Sequence, residues 1–192
     1  MTAPAPFAVR PILPAGEPST PGASGVPDTT LAQLTTLLVE TVAHGGSVSF
    51  MHPLAPADAE MFWRDALQAA LRGERIVLGA YRGHDLLGTV TLQLQCPPNQ
   101  PHRAEIAKMM TRPDARGQGV ATALLRHAER LAVQHGRSLL VLDTAEDGGA
   151  SRLYERLGYT YAGTIPDYAL KPHGGLTGTR LYWKRLTPPL TP

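Results

Sequence analysis

Between Asp28 and His44, Leu31, Leu34, Leu38 and Val42 recur at spacings that place them on one face of a helix. Asp28, Thr29 and Thr30 are able to cap its start, and Gly45-Gly46 is expected to end it. A second helical pattern runs from Ala57 to Arg72, with Phe62, Ala66, Ala69 and Ala70 on its apolar face and Gly73 as its stop. The period then changes. Glu74–Arg82 and Leu86–Gln95 read as strands joined by Gly83-His84-Asp85, an antiparallel hairpin closed off by Cys96-Pro97-Pro98. A third strand spans Arg103–Thr111. A helix from Gln118 to His135 carries the stripe Val120, Leu124, Ala128 and Leu131. A very apolar strand, Ser138–Asp143, precedes a helix from Gly148 to Leu157 with Gly158 as its stop, and Tyr159–Ile165 and Thr179–Leu186 are the last two strands.

Strand, helix, strand, helix, strand, flanked by antiparallel strands, predicts an α/β domain. Its sheet is mixed and mostly antiparallel, with helices on both faces. A length of 192 residues fits one such domain. Residues 1–27 hold seven prolines and read as an irregular lead-in with a short strand, Phe7–Leu13, embedded in it. The domain proper is expected over 28–186, and 187–192 as a frayed tail.

Composition narrows the function. With 43% hydrophobic and 18% charged residues a packed core is feasible. A formal net charge of +2 argues against a nucleic-acid binder, which needs a basic stripe. No run approaches the roughly 20 apolar residues of a membrane span, and the N-terminus lacks a signal peptide, so a cytoplasmic protein is expected. Cys96 is the single cysteine, which excludes an intrachain disulfide and a thiolate zinc site. Seven scattered histidines form no ligand cluster, so no metal is expected. Cys96 lacks an obvious base, and Trp63 and Trp183 read as packing residues.

Candidate chemistry lies in Arg112–Ala121, RPDARGQGVA, between a strand and a helix. Gly117 and Gly119 permit a sharp turn and close approach of a ligand. The helix that follows offers unpaired N–H groups and a positive dipole end, which suits phosphate or pyrophosphate. A dinucleotide fold is the competing reading, with Asp143 in the place of a ribose-binding acid. Thr122 at the third glycine position, the long Arg112–Arg116 approach and the short remaining chain all count against it.

Arg116, Gly119 and Ala121 match the acyl-CoA-binding pattern of the GNAT superfamily of N-acetyltransferases, which this stretch resembles. Ala150–Tyr159, ASRLYERLGY, is similar to a second motif of that family, in the family's order. His102-Arg103-Ala104-Glu105, Leu142-Asp143-Thr144 and Ile165-Pro166-Asp167-Tyr168 further resemble the branch containing the tabtoxin-resistance acetyltransferase. The resemblance implies acetyl-CoA as co-substrate and direct attack by an amine. Glu105 and Asp143 become the candidate bases, on strands that a right-handed crossover makes neighbours. Tyr154 is the implied acid for the leaving thiolate. Met109, Met110 and Thr111 would hold the pantetheine arm. Arg116, Gly117, Gln118, Gly119, Val120, Ala121 and Thr122 would hold the pyrophosphate. Asp147 stands where the family often has asparagine; an anion cannot donate a hydrogen bond, so it is left out of the site. Phe50, Met51 and Tyr168 are expected to line the acceptor pocket from their place in the fold plan. The expected activity is N-acetylation of a small-molecule amine, in particular an amino-acid-like toxin or antibiotic, by a monomer or homodimer. A protein or peptide acetyltransferase and a non-catalytic acyl-CoA sensor are the alternatives.

Overall fold

A computed structural model describes residues 6–13 and 27–187. Most of the expected lead-in and tail therefore lies outside the described residues. Within them the chain runs β1 (Ala8–Pro11), α1 (Asp28–Ala43), α2 (Pro56–Leu71), β2 (Arg75–Arg82), β3 (Asp85–Gln93), β4 (Arg103–Thr111), a 3-10 turn (Pro113–Ala115), α3 (Val120–Gln134), β5 (Leu139–Ala145), α4 (Ser151–Arg156), β6 (Thr160–Leu170) and β7 (Leu176–Arg185). Seven strands form one sheet in the order β1-β2-β3-β4-β5-β7-β6. Of the paired neighbours, β4 and β5 alone are parallel. The sheet is thus mixed and mostly antiparallel, as the element pattern predicts.

Alternation along the strands feeds a core on each face of the sheet. In β2, Leu78 and Ala80 join the cluster beneath α3 and α4, together with Leu124, Leu125, Ala128, Leu140 and Tyr154. Val77 and Tyr81 join the opposite cluster, beneath α1 and α2, with Leu34, Leu38, Val42 and Trp63. The four apolar positions expected on α1 are all buried. On α2 the buried face is turned towards Ala59, Trp63, Ala66 and Leu67, while Phe62 sits at its margin. Ala66 and Ala69 are buried as the pattern predicts, and Trp63, which has no exposed surface, extends the buried face to Ala59 and Leu67.

The last two strands are longer than the pattern suggests. β6 continues through Pro166 to Leu170, and β7 begins at Leu176. Their pairing is interrupted between Ile165 and Ala169, which lets a proline and the left-handed Asp167 sit in an edge strand. Among the described residues, no helix is long and apolar enough to cross a membrane, and no group of three His, Cys, Asp or Glu side chains is placed to hold a metal ion.

Candidate active site

The parallel ladder between β4 and β5 covers Arg103↔Leu139, Ala104↔Leu140 and Glu105↔Val141, then stops. β4 continues to Thr111 and β5 to Ala145, so the two strands part beyond Glu105. Backbone groups on the parted edges need other partners, which makes the split a place for a ligand. β4 stays fastened to β3 on its other side, through Gly88↔Thr111 and Thr89↔Met110. Met109 and Met110 alternate across the sheet. Met109 packs towards the α3 cluster, and Met110 is buried in the α1–α2 cluster.

At the end of β4 the chain makes the glycine-rich turn. Gly117 and Gly119 have φ of 73° and 83°, a left-handed conformation that side chains with a Cβ rarely adopt. A Cβ at either position would meet no atom within 4 Å, so the backbone here borders open space. Gln118 between them is tied down. Its Nε2 donates to the Asp114 carbonyl at 2.7 Å, and its Oε1 accepts from Arg82 Nη2 at 2.6 Å. Arg112 pairs with Asp114 at 2.8 Å. A cavity of about 310 Å³ opens at this turn. It is lined by Thr111, Arg116, Gly117, Gly119 and the first helical residues Val120, Ala121 and Thr122. The N–H groups of a first helical turn have no intrahelical acceptor, so the cavity offers donors, a positive dipole end and arginine. That donor set, and glycines bordering open space, fit the pyrophosphate of an acyl-CoA.

Leu153 and Arg156, from α4, complete the cavity wall. Both were missed by sequence reading, although their spacing of three within the ASRLYERLGY motif puts them on one helix face. A larger cavity, about 560 Å³, lies along α1 between Gln33, Glu40, His44 and Arg112. It contains none of the expected site residues.

Of the candidate acid–base residues, Glu105 lies on β4, Asp143 on β5 and Tyr154 on α4. Glu105 is half-buried and makes a 3.5 Å contact with Arg103. Asp143 accepts a hydrogen bond from Thr179 Oγ1 at 3.1 Å, from the neighbouring β7. Tyr154 is 5% exposed, deeper than the half-buried position a core tyrosine on this helix suggests. Its ring lies against Tyr159 and Tyr182, with centroids 5.9 and 5.8 Å away. Burial, reinforced by the negative charge of Asp143, pushes the Tyr154 phenol up to about 12.

Lys108 also belongs here. Between Thr89↔Met110 and Thr91↔Ala107 the β3–β4 register shifts, and Lys108 has φ of 50° in the resulting bulge. Its ammonium donates to Ser49 Oγ at 3.0 Å, and sits 5.8 and 5.7 Å from the ring centres of Phe50 and Phe62. Burial pulls the Lys108 ammonium down, while the charges of Asp143 and Glu105 pull it back up. Phe50, expected in the acceptor pocket, is thus brought beside the group that senses both carboxylates. Met51 and Tyr168 are 45% and 57% exposed, Tyr168 on the interrupted stretch of β6. The α1–α2 loop that carries Phe50 and Met51 docks on the β6–β7 turn. His52 N–H donates to the Pro172 carbonyl at 2.8 Å, and the His52 and His173 rings are 4.5 Å apart. Asp147 pairs with Lys171 at 2.6 Å and accepts from Thr177 at 3.3 Å, bonds within the fold that occupy it away from the turn.

Known proteins share this plan. An N-acetyltransferase from Staphylococcus aureus Mu50 superposes with a TM-score of 0.74 at 17% identity, over 95% of this chain and 100% of that one. A Salmonella typhimurium protein solved with acetyl-CoA as its cofactor gives 0.71 at 18% identity, over 97% of each chain. A GCN5-related N-acetyltransferase from Kribbella flavida gives 0.70 at 21% identity, over 94% of this chain and 98% of that one. Residues 46–159, from the loop before Phe50 to the end of the ASRLYERLGY motif, match the model of the acetyltransferase (GNAT) family. The split between β4 and β5, the glycine turn with its open cavity and this match agree: the chain belongs to the GNAT family and is an acetyl-CoA-dependent N-acetyltransferase.

Proposed function

We propose that this chain acetylates the amine of a small, amino-acid-like molecule, such as a toxin or antibiotic, with Glu105 and Asp143 as bases and Tyr154 as the acid. The observation that supports the reading is the parting of β4 and β5 just beyond Glu105, with Asp143 on the parted stretch of β5 and its Oδ2 held by Thr179. Acetyl-CoA supplies the acetyl group as a thioester. The amine's N–C bond forms as the C–S bond breaks; starting from the ammonium, one proton leaves nitrogen to a base before attack, a second leaves as the amide forms, and one proton reaches sulfur.

An alkylamine near pKa 10 is mostly protonated at neutral pH, so a base has to take its proton. Asp143 and Glu105 are the carboxylates available. Thr179 fixes Asp143 by one oxygen and leaves the other for the amine. A phenol whose pKa is raised keeps its proton at neutral pH, so Tyr154 can donate to sulfur as negative charge develops there. Met109, Met110 and Thr111 run along the parted edge of β4 and hold the pantetheine arm. Arg116 and the turn from Gly117 to Thr122 hold the pyrophosphate. Phe50, Met51 and Tyr168 supply the acceptor side.

An amino-acid-like acceptor, and kinship with the tabtoxin-resistance branch, are supported by the adjacency of two of the segments that carry that resemblance. His102–Glu105 lies on β4 and Leu142–Thr144 on β5, and these strands pair directly. The test is release of CoA thiol from acetyl-CoA against a panel of amino acids, aminoglycosides, polyamines and a histone-like peptide. Release confined to small amines is expected. Release with the peptide alone would replace this reading by a protein acetyltransferase. Tight acetyl-CoA binding with no release from any amine would support a sensor.

A further inference from the structure

Lys108 is a cation placed at some cost. The residue takes a left-handed backbone conformation in a strand, and Ser49, its hydrogen-bond partner, is left-handed as well at φ 73°. Such strain in non-glycine residues persists where the surroundings require it, commonly at ligand sites. The bulge is what aims the side chain. It turns Lys108 off the regular alternation of β4 and sends the ammonium to the Phe50 and Phe62 rings. A half-buried charge normally has an ionic partner. Among the described residues no carboxylate lies within ion-pair distance of Lys108 Nζ. Glu105 is in contact with Arg103, and Asp143 is held by Thr179. One hydroxyl, two ring faces and the more distant charges of Asp143 and Glu105 compensate the charge without a direct ion pair.

Resting on the proposed small-amine reading, we infer that Lys108 is a specificity-determining residue that binds an anionic group of the acceptor, a carboxylate, phosphonate or phosphinate a few bonds from the reacting amine. The charges of the site then match a zwitterion: two carboxylates meet the ammonium end and one ammonium meets the anionic end. Phe50 and Phe62, edge to face at 5.2 Å, provide an apolar wall beside the anion. The arrangement also rejects polycations. A second positive charge near Lys108 would be repelled at a place where water screens poorly.

Matched acceptor pairs test this: L-methionine against 3-(methylthio)propylamine, and L-phenylalanine against phenethylamine, each followed by CoA thiol release. The wild-type enzyme should favour the amino acid of a pair by about tenfold or more in kcat/KM, because the analogue leaves the ammonium without its partner. Lys108→Met should raise KM for the amino acid by about tenfold while changing the decarboxylated amine far less, so that the preference collapses. Lys108→Arg should retain most of it. A wild-type preference for the decarboxylated amines, or equal losses on both members of a pair in Lys108→Met, would overturn the inference while leaving the small-amine reading standing. If Lys108→Met fails to fold, judged by acetyl-CoA binding, the wild-type preference and Lys108→Arg still decide. Release from polyamines alone overturns the inference. Release from no small amine removes both readings.

Discussion

Two parts of this molecule adjoin β4, and they are built of different material. The turn after Thr111 is made of backbone: two left-handed glycines, a helix start, and a glutamine whose side chain is spent on bracing the loop. The proposed acceptor side is made of side chains drawn from distant segments: Phe50 from the α1–α2 loop, Phe62 from α2, Lys108 from the β4 bulge, Asp143 from β5. A backbone cradle suits a ligand portion that never changes, because N–H groups and a helix dipole recognise any phosphate. A side-chain wall can be recut to a new acceptor without disturbing that cradle. One fold can therefore keep its donor and change its acceptor.

The sharpest test of this division is Tyr154→Phe. Loss of the acid should lower kcat by about 10²–10⁴-fold, while acetyl-CoA affinity measured by calorimetry changes by less than about twofold. Full turnover in this variant would show that the acid is elsewhere. The same tyrosine governs alkaline stability. Its phenol is raised from 10.0 in the ordinary state to about 12 in the folded one. The folded state thus holds a proton that the unfolded chain has lost. This stabilisation is complete below pH 10 and disappears as pH rises towards 12, a loss of about 2–3 kcal/mol. Urea unfolding from pH 9 to 12 should show the decline in the wild type and a flatter profile in Tyr154→Phe.

Gly88→Ala should damage both parts together. An added Cβ would lie 2.6 Å from the Met110 carbonyl oxygen and 3.3 Å from Thr111 Cα, forcing β3 away from the strand both regions share. The expected cost is about 1–3 kcal/mol, read as a lower Tm, with both KM values raised. Gly119→Val should act on one part alone. A β-branched residue resists φ of 83°, so KM for acetyl-CoA should rise by about tenfold while KM for the amine hardly moves. A larger effect on the amine would break the division.

Legibility in sequence followed the same division. Glycine at 117 and 119 announces the turn because little else tolerates the conformation, and the stripe on α3 announces the helix behind it. The four buried positions of α1 were legible from periodicity alone. On α2 Ala66 and Ala69 were legible, while Trp63, read only as a packing residue, widens the buried face. β6 and β7 are longer than the sequence pattern suggests, and β6 runs through Pro166, which a regular strand would not hold. Their interruption between Ile165 and Ala169, which accommodates it, depends on pairing with β7. Lys108 is not among the residues that the sequence points to. Nothing in KMMT marks a bulge, because a bulge is a property of two strands in register.

By itself, then, the sequence determined the order of elements, the burial stripe of α1, the glycine turn and the motif on α4. Each of these is set by local backbone preference or by a period that neighbouring residues carry. Only the tertiary structure decided where β4 and β5 part, how deeply Tyr154 is buried, and that Lys108 is aimed at Ser49, Phe50 and Phe62 within reach of the charges of Glu105 and Asp143. Those features depend on register and on contacts between segments far apart in the chain. No local period encodes them.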